Sequence, residues 1–171
     1  MDWSQLGFEG LKQITNIHPV FVHFPIVLFP VAFLFYSAGV WLKKDALIFS
    51  GRCCLYLAAA ASIVTAVTGW LAEDTFPHSD AVHQIMEVHE TLGIAILISG
   101  LLLSVWTFFQ KEGLPKKPRL FLIALALPAL LVLQNADLGG RMVFLHGAAV
   151  KTPLVPEALH DHRQHEHQNE D

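Results

Sequence analysis

Imidazole is the side chain best suited to bind a transition metal at neutral pH, and in this chain it sits beside apolar segments. His18 and His23 fall within Asn16-Ile17-His18-Pro19-Val20-Phe21-Val22-His23-Phe24-Pro25-Ile26, at the start of a long apolar run. An ionisable group at the edge of hydrocarbon is costly to place, so it marks a functional site by default. His89 stands at the start of a third apolar run, at a depth similar to His23. Two imidazoles from different helices at one level suit the axial positions of a b-type haem. His18 and His23 are five residues apart, about 140° around a helix, so one fully helical segment cannot aim both at one centre. His23, the deeper, is the preferred partner of His89, with His18 and His146 as reserve ligands or hydrogen-bonding groups.

A second polar group closes the fourth apolar run, in Gln134-Asn135-Ala136-Asp137-Leu138-Gly139-Gly140-Arg141-Met142-Val143-Phe144-Leu145-His146-Gly147. Arg141 suits a haem propionate and Asp137 could orient a ligating imidazole; an Asp137–Arg141 ion pair at helix spacing is the plainer alternative. Gly139-Gly140 either breaks the helix or packs it tightly. His146 is a candidate third ligand in an interfacial or re-entrant segment. Near the C-terminus, His160, His162, His165 and His167 form a loose tract open to copper, nickel or zinc, with a solubilising tail as the alternative.

The elements that position these groups are membrane helices. A 53% hydrophobic share against 15% charged residues is more apolar than a soluble domain of this length. Spans are expected at about 20–42, 52–71, 91–109 and 120–138, each long enough to cross a roughly 30 Å hydrocarbon core. Pro25 and Pro30 inside the first should bend it or open its backbone ladder. Residues 73–90 read as a polar connection. Residues 1–16 read as an interfacial or disordered segment anchored by Trp3, 17–150 as the membrane domain and 151–171 as a disordered tail.

Lys43, Lys44 and Arg52 flank one side, as do Lys111, Lys116, Lys117 and Arg119. By the positive-inside rule these loops are cytoplasmic, which puts both termini and all ten histidines at the external face. The fold class is therefore all-α, a four-helix transmembrane bundle with both termini on the external side. A weak two-plus-two repeat accompanies it: a histidine precedes each odd helix, and glycine marks the outer end of each even one (Gly69, then Gly139-Gly140).

Several classes are excluded. No basic stripe supports nucleic-acid binding, no signal-peptide cleavage pattern opens the chain, and the adjacent Cys53 and Cys54 read as small packing residues rather than a disulfide. No nucleophile with a base partner, phosphate-cradling glycine loop or carboxylate pair is present, so an electron carrier or binding protein is expected rather than an autonomous enzyme.

The segments His18-Pro19-Val20-Phe21-Val22-His23-Phe24-Pro25-Ile26, His89-x-x-x-Gly93 and Leu138-Gly139-Gly140-Arg141-Met142-Val143-Phe144-Leu145-His146-Gly147 resemble the bacterial membrane family catalogued as domain of unknown function 2231. The resemblance covers about residues 17–150. Members often have Asp after the second-helix glycine, where this chain has Trp70, so Glu73 or Asp74 would have to substitute. Similar domains accompany cytochrome and iron–sulfur proteins, which implies a redox setting and favours haem b over copper or zinc. The expected partners are the lipid bilayer, with quinone, a periplasmic cytochrome or a second copy of the chain as candidates. A metal-handling protein and a structural subunit of a membrane complex are the competing functions.

Overall fold

The computed structural model describes residues 7, 16–73, 79–110 and 116–149. Helix α1 (His18–Phe21) and α2 (His23–Leu42) form one span interrupted at Val22, followed by α3 (Asp45–Glu73), α4 (Asp80–Phe108) and α5 (Pro118–Phe144), with no strand among the described residues. The four helical stretches of 25, 29, 29 and 27 residues are each long and apolar enough to cross a membrane. Of the expected features, the N-terminal segment apart from Gly7 and Asn16, together with Asp74, His78, Lys111 and the 151–171 tail with its four histidines, lie outside the described residues.

The interruption between α1 and α2 has a local cause. Pro25 has no N–H for the carbonyl of Phe21, four residues back; the Thr65 hydroxyl on α3, whose shorter bond at 2.9 Å is to the Ala61 carbonyl of its own helix, shares its proton with that carbonyl at 3.3 Å. The expected opening of the ladder is thus present, and its freed acceptor is used to tie α1 to α3. At the other end, α2 stops at Lys43, which is left-handed at φ 54°, with the Lys44 N–H on the Gly39 carbonyl at 3.0 Å. A two-residue link of this kind forces α3 back along α2.

Two sequence expectations change. The polar stretch before the third span is helical from Asp80 onward, not a loop to Glu90. Ser79 caps this helix by accepting from the Val82 N–H at 3.4 Å, and Asp80 lies in its first turn, where a carboxylate suits the helix dipole. Apolarity hides that start. Likewise α5 runs unbroken through Gly139-Gly140 to Phe144. It closes in a left-handed turn at Gly147 (φ 65°), whose N–H meets the Val143 carbonyl at 3.0 Å. His146 therefore belongs to a helix-ending turn rather than a re-entrant segment.

Inward positions follow a heptad-like spacing on each helix, the pattern of closely aligned bundles. On α2 these are Pro25, Phe29, Ala32, Tyr36 and Gly39; on α4, Val82, Ile96, Gly100, Leu103 and Thr107. Phe29, Tyr36, Leu55, Phe121 and Leu125 are wholly buried, and Tyr36 packs edge-on against Phe121 with centroids 4.8 Å apart. Cys53 and Cys54 are free thiols, and Cys54 packs against this core.

The outward faces are apolar too. Leu34, Ile123 and Leu130 are exposed, and large aromatics stand out at both ends: Trp41 and Phe109 at the lysine-rich end, Trp70 and Phe144 at the histidine end. Such a surface suits hydrocarbon flanked by aromatic belts and would be unstable in water.

Candidate functional site

At the histidine end, the start of α1, the end of α3, the start of α4 and the end of α5 converge. The His18 and His89 rings meet in a T-shaped, edge-on contact with centroids 6.2 Å apart and planes crossed at 82°. Both are only partly exposed. His18 Nδ1 is 3.1 Å from the Thr65 carbonyl oxygen and 3.4 Å from the Thr68 hydroxyl oxygen. The Thr68 hydroxyl itself donates to the Val64 carbonyl at 2.9 Å. His89 Nδ1 is 3.0 Å from the Asn135 carbonyl oxygen.

A carbonyl oxygen only accepts, so these contacts place the proton on Nδ1 of both rings and leave Nε2 with its lone pair. That is the state of a metal-ligating imidazole held by a backbone partner. The separation fits as well. Two nitrogens each about 2 Å from one metal atom, plus ring radii of roughly 1 Å, put ring centroids about 6 Å apart.

Bare backbone surrounds the pair. A Cβ on Gly69 would lie 3.0 Å from His18 Cε1, one on Gly139 would lie 3.5 Å from His89 Cε1, and one on Gly93 would meet only the Asn135 amide at 3.7 Å. Asn16 Oδ1 and Asn135 Oδ1 are buried at this end without a hydrogen-bond partner. The site thus holds acceptors still open to a donor as well as two open imidazole nitrogens.

The other expected site residues divide clearly. His23 is exposed, and the ring in contact with His89 is that of His18. The reason is helical phase: His18 lies seven residues before Pro25 on the inward stripe, whereas His23 shares its face with exposed Val27, Leu34 and Trp41. His146 is exposed beyond the end of α5. Asp137 and Arg141 pair with each other, Asp137 Oδ2 to Arg141 Nη2 at 2.6 Å, both about half exposed at 52%. His83 pairs with Glu87 at 3.5 Å on the α4 surface. Among the described residues no group of three or more His, Cys, Asp or Glu could hold a metal ion.

The exposed Asp137–Arg141 pair at i,i+4 spacing should be worth only about 0.3–0.5 kcal/mol. Asp137→Asn is therefore expected to leave the thermal midpoint in detergent nearly unchanged. A large drop would show that the carboxylate supports the site rather than the helix surface.

Sequence reasoning missed Thr65, Thr68 and Asn135. The signal was available: Thr65 falls three residues after buried Ser62 on α3, and Asn135 three after buried Val132 on α5, so both extend inward stripes, as His18 and His89 do.

These features define an integral membrane protein of four helical spans with a paired-imidazole site at one end. A family model described as predicted membrane protein (DUF2231) matches residues 14–152, and the chain belongs to that family. No curated protein matches it, and neither does any solved structure.

Proposed function

We propose that the protein is a small b-type cytochrome of the membrane, with His18 and His89 as the axial ligands of one haem. The observation that carries this reading is the pair of contacting imidazoles, each anchored through Nδ1 on a neighbouring helix. A tetrapyrrole brings four nitrogens of its own and needs only two from the protein, whereas a structural zinc site takes four protein ligands and a catalytic one three. Two imidazoles with no third metal-binding group clustered beside them among the described residues therefore favour haem over zinc.

Bound there, haem supplies a one-electron couple. The chain contributes the rest. His18 and His89 would hold the group through Nε2, with the Thr65 and Asn135 carbonyls fixing the ring orientations and Gly69 and Gly139 leaving room for the two rings. Arg141 would have to leave its surface pair with Asp137 to meet a propionate. The clustering of lysine and arginine at the opposite end makes that end cytoplasmic by the positive-inside rule. The histidine end then faces the external side of a bacterial inner membrane. Electron exchange with quinone or a periplasmic cytochrome at that face is the corresponding role, and the tail at His160, His162, His165 and His167 is a separate, weaker metal tract.

The test is an absorption spectrum of the detergent-purified full-length protein. A Soret band with sharp α and β bands on reduction is expected. A colourless protein that takes up no added haem, yet retains stoichiometric copper or zinc after removal of His160 to His167, would replace this reading with the metal-handling one.

A further inference from the structure

His18 and His89 are held by the same device used twice. In the first half, the imidazole Nδ1 meets the carbonyl of Thr65, and glycine follows four residues later at Gly69. In the second half, the imidazole Nδ1 meets the carbonyl of Asn135, and glycine follows four residues later at Gly139. The sequence separations from histidine to carbonyl are 47 and 46 residues. Within an α-helix, the carbonyl of one residue points towards the residue four further on. A side chain there would cover the second lone pair of that oxygen; glycine leaves it open to a ring from another helix. The echo between the two helix pairs is thus a repeated means of presenting an imidazole.

The halves differ in two respects. At Gly69 the fit is tight, since an added Cβ would stand 3.0 Å from His18 Cε1 and 3.2 Å from its Nδ1, whereas at Gly139 the nearest approach is 3.5 Å, an ordinary contact. His18 also has the Thr68 hydroxyl oxygen at 3.4 Å, and the matching position on α5 is Leu138. The His18 ring is therefore the more firmly fixed of the two.

We propose that this duplicated carbonyl-and-glycine device keeps the two ligand rings crossed, near the 82° of the present structure, when they hold iron, and that Gly69 is the positioning residue that sets the His18 plane. The proposal rests on the haem reading above. Its physical consequence is electronic. Two imidazoles in one plane donate to the same iron dπ orbital and split it from its partner. Crossed rings donate one to each, so the two orbitals stay nearly degenerate and the ferric ion keeps much of its orbital moment. Axial-ligand arrangement is among the levers by which a protein tunes haem.

Low-temperature electron paramagnetic resonance of the oxidised, full-length protein in detergent decides the point. A low-spin signal of very high anisotropy, dominated by a single large-g feature, is expected. A fully resolved rhombic low-spin signal would keep the bis-imidazole haem and overturn the crossed-ring proposal; absence of any haem signal after reconstitution would overturn both. Gly69→Ala is expected to shift the signal towards the rhombic type because the added methyl displaces the His18 ring, while Gly140→Ala, whose Cβ would meet only the Phe144 ring, leaves it as in the wild type. An unchanged spectrum in Gly69→Ala would remove the positioning role. Should that variant fail to accumulate, Thr68→Val, which takes away one oxygen beside His18 Nδ1 and keeps the shape, is expected to move the same signal in the same direction, and its failure to do so would count equally against it.

Discussion

His18→Ala and His89→Ala are each expected to abolish the low-spin haem spectrum of the purified protein, whereas His23→Ala leaves the Soret band at wild-type intensity. The contrast is the sharpest consequence of the fold, because sequence depth favours His23 and helical phase favours His18. His18 and His89 meet edge-on at 6.2 Å, and each is tied through Nδ1 to a carbonyl on an adjacent helix. On the haem reading, losing either removes one of the two proposed ligands, and no third metal-binding group is clustered with them among the described residues to replace it. His23 is exposed on a face with Val27 and Leu34. Reduced-minus-oxidised spectra and haem content per protein measure the outcome. Loss of haem in His23→Ala with retention in His18→Ala would reverse the assignment.

Gly51→Ala and Gly39→Ala are expected to destabilise the bundle by about 1–3 kcal/mol each, the usual cost of overpacking, and so to lower the thermal midpoint in detergent clearly. At Gly51 a Cβ would meet the Tyr36 ring at 2.8 Å and the Tyr36 backbone nitrogen at 3.0 Å; at Gly39 it would meet Ile48 Cγ1 at 2.7 Å and the Ile48 backbone nitrogen at 2.9 Å. A side-chain tip can rotate away, but a backbone nitrogen in a packed helix cannot, so α2 and α3 would have to separate. Small residues at such a seam are what allow helices to approach within lipid, where hydrophobic burial drives association little. Gly140→Ala provides the opposite sign. Its Cβ would touch only the Phe144 ring at 3.8 Å, and replacing a helical glycine by alanine where space allows gains up to about 1 kcal/mol. Equal destabilisation by all three substitutions would show that helix separation is not the cause.

Most of the architecture was legible from composition alone. Uncharged runs of membrane-spanning length and two lysine-rich connections lead to four helices, and four such helices are present. Helix ends were less legible, because the ends of α3, α4 and α5 carry polar residues that an apolarity criterion assigns to loops. The Ser79 cap and the αL turn at Gly147 depend on local hydrogen bonds rather than hydropathy. The site was half legible. His89, the glycines and the inequivalence of His18 and His23 follow from residue type and the 3.6-residue period. Which of the latter two turns inward depends on carrying the phase of Pro25, Phe29 and Tyr36 back through a proline interruption, across which phase is not assured.

By itself, then, the amino-acid order determined the membrane class, the number of spans, the placing of the described histidines towards one end and the proline opening of the first helix, because these rest on transfer free energy and on backbone groups a residue has or lacks. Only the tertiary structure decided that His18 meets His89, that the Thr65 and Asn135 carbonyls hold them, and that Asp137 and Arg141 satisfy each other at the surface. Those outcomes depend on rotation and axial offset between helices distant in sequence. A shift of one residue on any of them would turn a different side chain inward.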